Sequence, residues 1–384
     1  MIKKIYILGN HIQALEVSRA SYRAGIHVTL FSNYNFSITR YSRSCKKFVL
    51  YNHHAHLLDL LLKNEYKSKE VLLIPTNDNM VHFLTKNYYT LKEHYSLSIA
   101  SPPVIDICYN KIKTYKTAKA LNIPIPESYF PVNIDELRFL NKHIAYPVII
   151  KPAIMHAFFS QTGKKAYKCN NADELIKNYL KACAYIPSDE IIVQEFLPGG
   201  AQYLYSYGSF FANGISYAGL TANRIRQKPM DFGIATTFAI TVVNKKIDDY
   251  AEKFLSGINY FGISETEFMF DPRTNEYKLL EINPRTWKWH SISTGANISF
   301  VEALIKYHNN EKIPIHKNHI ENLGWIERLT DTYVAISEII KGRLSLKEYI
   351  KTIRIKKQSA CWSWSDPLPA LMYIILTPYL FFKR

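Results

Sequence analysis

The sequence lacks the cysteine pairs and long apolar runs that mark several large classes of protein. Its 384 residues include five cysteines, none in a CxxC spacing. This pattern predicts neither a zinc site nor a disulfide framework, and it favours a reducing, cytoplasmic compartment. No stretch approaches the roughly 20 apolar residues of a membrane span, and the first apolar run is too short for a signal peptide. The sequence therefore predicts a globular protein without a transmembrane segment.

An excess of acidic residues is also missing. The chain has 48 lysines and arginines against 32 aspartates and glutamates, a net charge of +16. This balance favours anionic partners, such as nucleotides, phosphosugars, acidic lipid headgroups or nucleic acid. The lysines are scattered, however, and no recognisable nucleic-acid-binding module interleaves them with aromatic residues. We therefore predict no nucleic-acid partner, and a composition bias without function is the competing interpretation.

The first hundred residues alternate between strand and helix patterns. The apolar runs Lys4–Leu8 and 26–31 predict strands on either side of a helix, as in a doubly wound α/β domain. Gly9 alone stands in the first turn, which is weak evidence for a dinucleotide site. Asn77 and Asp78 follow a later strand pattern, where helix capping is the simplest role and substrate contact is the alternative.

Acidic residues lie on two strand patterns that are joined by the turn-forming segment 271–275. Residues two apart in a strand share a face, so Glu281 and Asn283 share one, and the hairpin can bring Glu267 alongside. Carboxylate and amide oxygens suit Mg²⁺, and Arg285 close by suggests an anion. The alternative is a solvent-exposed hairpin with ordinary surface acids.

Several basic residues occupy positions that are unusual for solvated side chains. Lys151 ends a buried strand pattern just before a proline, whereas solvated lysines are common on helix faces. Lys165 ends a predicted polar and aromatic loop, 156–165, which could close over phosphates. Arg224 and Arg226 are two apart in a predicted strand and are expected to share one face and grip an anion. An exposed basic strand is the alternative for these arginines.

In chain order, these segments resemble the ATP-grasp superfamily, and within it the carboxylate–amine ligases that include D-aspartate ligase. The matching residues are Asn110-Lys111, Val148-Ile-Ile-Lys151-Pro, Gly163-Lys-Lys165-Ala, Val193-Gln194-Glu195-Phe-Leu-Pro-Gly, Arg224-Ile-Arg226-Gln, Glu267-Phe-Met-Phe-Asp271 and Leu280-Glu281-Ile-Asn283-Pro-Arg285. The resemblance implies an α/β fold of the α+β ATP-grasp type. Residues 1–104 would form the preceding Rossmann-like domain, 105–188 the small lobe, 189–312 the large lobe with the metal site, and 313–384 a C-terminal helical extension with an apolar tail.

The same resemblance assigns roles at an ATP site. The residues that it places at ATP are Lys111, Lys151, Lys165, Gln194, Glu195, Leu197 and Gln202. The three lysines would contact phosphates, Glu195 and Leu197 would lie at the adenine hinge mainly through backbone atoms, and Gln202 is a candidate at the ribose. The segment 156–161 replaces the glycine-rich phosphate loop of many relatives, which leaves the contacts of this loop open.

The resemblance also implies a metal site and catalytic cations. Glu267, Glu281 and Asn283 would hold two Mg²⁺ ions, with Mn²⁺ as an alternative. Arg285 and Arg226 would meet the γ-phosphate or the acyl phosphate, and Lys165 completes the predicted catalytic set.

The implied activity is ATP-dependent ligation of the acid–amino-acid ligase type. A carboxylate would be activated as an acyl phosphate and passed to an amine, both of them small molecules, on a cell-envelope or secondary-metabolite precursor. Charge would have to be neutralised as the two anions approach, which the lysines, arginines and metal ions can do. A different nucleophile stays open, as does a non-catalytic nucleotide-binding protein, against which the intact acidic set argues.

The C-terminal region carries none of these motifs. Helices are predicted at 331–342 and 345–354, and the apolar tail 370–384 is interrupted by Pro378 and too short to span a membrane. Its aromatic residues and terminal cations suit an interfacial segment at the inner face of the membrane. A helix packed on the ligase core or within a homodimer is the alternative, and the sequence slightly favours it.

Overall fold

The N-terminal region forms a parallel sheet in the order β3-β2-β1-β4-β5. The computed structural model describes residues 1–230, 233, 235–317 and 320–382, and the side chains of these residues except 156–157 and 378–382. The first elements are β1 (Lys4–Leu8), α1 (His11–Arg23), β2 (His27–Ser32), β3 (Cys45–Leu50), α2 (His54–Leu61), β4 (Val71–Pro75), α3 (Asp78–Lys86), α4 (Tyr88–Lys92) and β5 (Ser96–Leu97), with a 3-10 turn at Ile38–Tyr41. Helices cover the sheet, so β1 and β4 are almost wholly buried apolar runs.

The next region builds a four-stranded antiparallel sheet in the order β6-β9-β7-β8. Its elements are α5 (Pro102–Tyr109), α6 (Lys111–Ala120), β6 (Ser128–Tyr129), α7 (Ile134–Leu140), β7 (Val148–Pro152), α8 (Met155–Thr162), β8 (Tyr167–Cys169), α9 (Ala172–Cys183) and β9 (Ile191–Glu195), with a 3-10 turn at Ser188–Glu190. The predicted loop 156–165 is mostly the helix α8, which ends at Gly163 in a left-handed conformation (φ 65°). The side chain of His156 lies outside the described residues.

An eight-stranded sheet carries the acidic hairpin. Its main order is β14-β13-β10-β11-β12-β16-β17, and β15 pairs with β11. The elements are β10 (Leu204–Ala212), β11 (Ile215–Lys228), β12 (Ala235–Val242), α10 (Lys245–Gly257), β13 (Gly262–Asp271), β14 (Glu276–Asn283), α11 (Ile292–Gly295), α12 (Phe300–His308), β15 (His316–Lys317) and β16 (Gly324–Ile326), after a 3-10 turn at Ala201–Tyr203. The predicted hairpin is present as β13 and β14, which pair antiparallel.

The C-terminal region joins this sheet. It contains α13 (Arg328–Ile340), α14 (Leu346–Arg354), β17 (Lys357–Ser359) and α15 (Leu368–Phe382). The prediction of a helical extension is therefore incomplete, because β16 pairs with β12 and β17 pairs with β16. None of the helices in the described part of the chain has the length and hydropathy needed to cross a membrane. Lys383 and Arg384, the terminal cations of the predicted tail, lie outside the described residues.

Apolar packing ties the first sheet to the large sheet. Leu15 of α1, Leu220 of β11 and Trp325 of β16 belong to one cluster of buried side chains. Gly208 of β10 permits part of this packing, because a Cβ atom there would lie 2.0 Å from the Trp287 ring. The packing holds the carboxyl end of β4 beside the segment that follows β14. The domain boundaries given above stay predictions.

Candidate active site

Four oxygen-bearing side chains line one face of the β13–β14 hairpin. Glu265 is opposite Asn283, and Glu267 is opposite Glu281. Residues two apart in a strand point the same way, so all four share a face. The Asn283 amide donates from Nδ2 to Glu267 Oε1 at 3.0 Å and to Glu265 Oε2 at 3.3 Å. The hairpin thus brings the predicted metal-ligand residues together and adds Glu265 to them.

Lysines from different elements surround this face. Lys111 stands at the first turn of α6, which Asn110 caps by accepting from two backbone N–H groups. Its Nζ lies 2.8 Å from Glu281 Oε2. Lys151, at the end of β7, donates from Nζ to the Tyr115 hydroxyl at 2.7 Å. Lys165, just after α8, donates from Nζ to a backbone carbonyl, that of residue 233, at 2.8 Å.

These lysines act electrostatically on one carboxylate. The charge of Lys111, reinforced by Lys165 and Lys151, holds the pKa of Glu281 far below its usual range. Burial lowers the pKa of both Lys151 and Lys165. For Lys111 burial acts in the same direction and is the largest single effect, but Glu281, Tyr115 and Glu267 together outweigh it, and the pKa is raised. A site that gathers several ammonium groups around one carboxylate is suited to a polyanion.

The two arginines of β11 do not act as the sequence predicts. Arg224 forms a buried ion pair with Glu267, whereas Arg226 forms a buried bidentate pair with Asp331 of α13, at 2.9 and 2.8 Å. The prediction that they share a face is wrong, and the reason is a β-bulge. From Asn223 to Arg226 the strand β11 advances three positions, whereas its partner β12 advances only two, from Ile240 to Phe238. The extra residue turns Arg226 to the opposite face, away from the acidic row.

The N-terminal region contributes an acid to the site. Asp78 accepts from Arg285 Nε at 2.7 Å and from Nη2 at 2.9 Å. Arg285 also donates from Nη2 to Asn283 Oδ1 at 3.2 Å. Asn77 caps α3, accepting from the Met80 N–H at 3.0 Å. The capping interpretation therefore holds for Asn77, whereas Asp78 is directed toward the hairpin.

The residues predicted at the adenine hinge and ribose lie around the end of β9. Gln194 is buried and donates from Nε2 to Ser128 Oγ at 2.7 Å. The Glu195 carboxylate is bound by Lys278 and Arg273. The remaining two differ in burial: Leu197 is buried, whereas Gln202 is exposed in a 3-10 turn.

Sequence reasoning left several of these residues out of the predicted site. Glu265 precedes Glu267 by two positions, so strand alternation alone could have found it. Tyr115 follows Lys111 by four positions and lies on the same helix face. Burial, followed by the charge of Glu267, raises the pKa of Glu265 to about 8. Within the described residues, Glu265 Oε1 and Arg224 Nε make no hydrogen bond.

Within the described residues, no three His, Cys, Asp or Glu side chains are gathered closely enough to hold a metal ion. Glu281 and Glu267 are instead paired with Lys111 and Arg224. The donor set still consists of carboxylate and amide oxygens on one face, which suits Mg²⁺. The unpartnered Glu265 oxygen is a further acceptor in the same row.

Solved structures with the same architecture define the class of fold. The biotin carboxylase domain dimer of 2-oxoglutarate carboxylase from Hydrogenobacter thermophilus, in complex with MgADP, ADP and bicarbonate, is 16% identical, with a TM-score of 0.65 over 84% of this chain and 72% of that chain. N5-carboxyaminoimidazole synthetase from Staphylococcus aureus, complexed with ADP, is also 16% identical, with a TM-score of 0.64 over 83% of this chain and 82% of that one. The chain has the ATP-grasp fold, and the predicted fold class is confirmed.

Among curated proteins, the chain is similar to D-aspartate ligase of Enterococcus faecium, with 26% identity over 240 residues that cover 59% of this chain and 56% of that protein. It is also similar to the C-terminal section of the carbamoyl phosphate synthase large chain of Methanopyrus kandleri, with 24% identity over 194 residues, 48% of this chain and 34% of that protein. The chain thus spans about half, or less, of these relatives. No protein-family model matches it. The predicted resemblance to ATP-grasp carboxylate–amine ligases is confirmed.

Proposed function

We propose that this chain is an ATP- and Mg²⁺-dependent ligase that activates a carboxylate as an acyl phosphate and transfers the acyl group to an amine. One observation carries the proposal. Three lysines, the buried Lys111 and Lys151 and the half-buried Lys165, act on the carboxylate of Glu281, which is in the same row as Glu267 and Asn283. The similarity to D-aspartate ligase supports the choice of an amine as the acyl acceptor.

The lysines are proposed to bind the phosphates of ATP. Lys111 is now bound to Glu281, and Lys151 to the Tyr115 hydroxyl. A triphosphate offers each ammonium group an anionic oxygen, and these charge-assisted bonds are stronger than neutral ones. Lys165 follows α8 and would contribute the third ammonium group. The adenine is proposed to lie against the backbone of β9 from Gln194 to Leu197, with Gln202 as the candidate at the ribose.

Mg²⁺ is proposed to be held by Glu267, Glu281 and Asn283, with Mn²⁺ as an alternative. If Lys111 and Arg224 exchanged their carboxylate partners for phosphate oxygens, the carboxylates of Glu281 and Glu267 would be free to bind the metal. When bound, the metal would neutralise charge on the phosphates and on the transferred phosphoryl group. Glu265 lies in the same row, and its free oxygen makes it a candidate for a further contact.

In the proposed reaction, a substrate carboxylate oxygen forms a bond to the γ-phosphorus, the bond from that phosphorus to the β,γ-bridging oxygen breaks, and ADP leaves with the bridging oxygen. The amine nitrogen then attacks the acyl carbon, phosphate leaves, and the amine loses a proton. Arg285, fixed by Asp78, is proposed to orient the transferred phosphoryl group. Arg224 is better placed than Arg226 for the second arginine role, because it lies beside Glu267 whereas Arg226 is bound to Asp331. Exclusion of water would protect the acyl phosphate from hydrolysis.

The partners and location are proposals of the same kind. We propose small-molecule substrates and a cytoplasmic protein, and we retain the predicted homodimer and the predicted membrane contact of the tail as hypotheses. The tail helix α15 packs one side against the protein, where Ala370 and Leu376 are buried, while Ile374 and Ile375 are exposed. This mixture fits both interpretations of the tail.

The discriminating experiment measures ADP release with a panel of amino acids and uronic acids as carboxylates, first without and then with an amine. We expect release that requires both ATP and Mg²⁺, is lost on chelation, and rises when the correct amine is added. Release that requires a carboxylate but is stimulated only by a thiol would indicate a different nucleophile. ATP binding without release under any of these combinations would indicate a non-catalytic nucleotide-binding protein.

A further inference from the structure

The helix α13 is apolar on both of its faces. Its inner face buries Val334 and Ala335 against the large sheet. On the opposite face, four apolar side chains recur at intervals of four, three and four residues, which places them in one line along the helix. They are Leu329, Tyr333, Ile336 and Ile340, between 40% and 81% exposed. The outward face of a surface helix is normally polar, so this exposed apolar line indicates a binding surface.

The next helix, α14, repeats the pattern. Every residue of α14 is at least partly exposed. It is held to the protein through Thr352, whose Oγ1 accepts from Arg226 at 3.1 Å, and through the Tyr349 ring under the same guanidinium. Its apolar line consists of Leu346, Ile350 and Ile353, at least 37% exposed. We call the two lines together the α13–α14 apolar surface.

The charges around this surface have one sign. Residues 328–357 contain eight lysines and arginines and three acids. Each acid is already bound: Asp331 to Arg226, Glu338 to Lys341 and Arg343, and Glu348 to the cap of α14. On α14 the basic residues Lys347, Lys351 and Arg354 lie beside the apolar line, at about 100° from it around the helix. Cations flanking an exposed apolar line are typical of helices that lie in a membrane interface.

We infer that the α13–α14 apolar surface docks onto the surface of an anionic lipid bilayer. The apolar side chains would enter the boundary between headgroups and acyl chains, and the flanking cations would meet anionic headgroups. A second copy of this chain is a poorer occupant, because it would bring two basic surfaces together. The inference is independent of the proposed ligase activity, and it involves a different segment from the predicted apolar tail.

The test is co-sedimentation of the full chain with phosphatidylglycerol-containing vesicles and with phosphatidylcholine vesicles. We expect binding to the anionic vesicles that weakens with added salt, and little binding to the neutral ones. Replacing Tyr333, Ile336 and Ile340 by serine should lower the bound fraction about tenfold, because apolar burial and charge attraction act together. The triple variant Tyr89→Ser/Phe139→Ser/Leu180→Ser is the matched control, since it removes side chains of similar exposure elsewhere and should bind like the original chain.

Charge is tested separately with Lys347→Glu/Lys351→Glu, which should also lose binding while leaving every apolar residue in place. Circular dichroism verifies that each variant is folded. Several outcomes would overturn the inference: no vesicle binding, equal binding to neutral vesicles, or equal binding by both serine triple variants. A dimer in sedimentation velocity without lipid, converted to monomer by the α13 triple variant alone, would identify a second copy as the occupant and would also overturn it.

Discussion

Two buried acids near the C-terminal helices, Asp331 and Asp366, are more fully hydrogen-bonded than the buried charges of the hairpin site. Beneath α13, Asp331 accepts two bonds from Arg226 and one from Thr237 Oγ1 at 2.9 Å. Asp366, before α15, accepts from Arg19 Nε at 2.9 Å, from Ser42 Oγ at 2.6 Å and from the backbone N–H of residue 43 at 3.0 Å. These charges are saturated by groups of the chain itself.

The hairpin site leaves polar groups without partners. Arg224 Nε and Glu265 Oε1 are buried and make no hydrogen bond within the described residues. An unpaired buried polar atom costs about 1–3 kcal/mol, so folds rarely keep one without a reason. Fully hydrogen-bonded pairs such as Arg226–Asp331 attach the C-terminal region to the large sheet. The hairpin site, where Arg224 and Glu265 each keep a polar atom without a hydrogen bond, is suited to bind a ligand.

The largest effect is expected for Glu281→Gln. The change removes a proposed metal ligand and the anion on which Lys111, Lys151 and Lys165 act, so ADP release should fall by about 10³-fold or more. The melting temperature should fall as well, because the change leaves the buried Lys111 without the carboxylate that pairs with it. The measurement is a coupled ADP assay beside thermal denaturation. Full turnover in a folded Glu281→Gln protein would contradict the site assignment.

A large effect on stability rather than chemistry is expected for Asp331→Ala. It leaves the Arg226 guanidinium buried without its partner, which should cost about 3–5 kcal/mol in the free energy of unfolding by urea. The double variant Arg226→Met/Asp331→Leu removes both charges and should recover most of this loss, since an apolar pair can replace a buried ion pair.

The same double variant tests the predicted catalytic role of Arg226. Because its guanidinium is bound to Asp331 on the face away from the acidic row, the folded double variant should keep its ADP release. Loss of ADP release by a double variant of near-normal stability would instead indicate that Arg226 contacts the transferred phosphoryl group.

A smaller catalytic effect is expected for Lys151→Met. Loss of one phosphate-binding cation among several should lower kcat/KM for ATP about 10²-fold. Stability should be kept or raised, because burial already lowers the pKa of Lys151 and so disfavours its charged form. Lys177→Met, at an exposed position on α9, is the matched control and should behave like the original chain. Equal kinetics for the two variants would exclude Lys151 from the ATP site.

Short-range sequence patterns predicted much of the site and the fold. The alternation around Glu267 and Glu281 predicted the hairpin, because strand geometry fixes which side chains share a face. Strands β1, β2 and β4 of the first sheet were predictable because they are mostly buried apolar runs, as central parallel strands require.

What escaped prediction depends on contacts between distant segments. The bulge in β11 reverses Arg226 through a single extra residue, and the buried partner that stabilises this arrangement, Asp331, lies 105 residues further on. The strands β16 and β17 have three residues each, too few for a periodic pattern. Likewise, nothing in the sequence near Asp78 indicates that Arg285 of another sheet will bind it.

The smallest effect is expected for Glu195→Gln. This change tests whether a fully hydrogen-bonded charge at the proposed ATP site is structural or functional. The Glu195 carboxylate is saturated by Lys278 and Arg273, like the pairs beneath α13, although it lies at the proposed adenine hinge. If the hinge binds adenine through backbone atoms, KM for ATP should change by less than about threefold, and the partly exposed ion pairs should contribute about 1 kcal/mol or less to stability. ATP-dependence of ADP release and urea denaturation measure these two quantities. A rise in KM far beyond threefold, without loss of stability, would mean that this carboxylate contacts the nucleotide. A charge that is fully hydrogen-bonded by neighbouring cations could then still be functional in this fold.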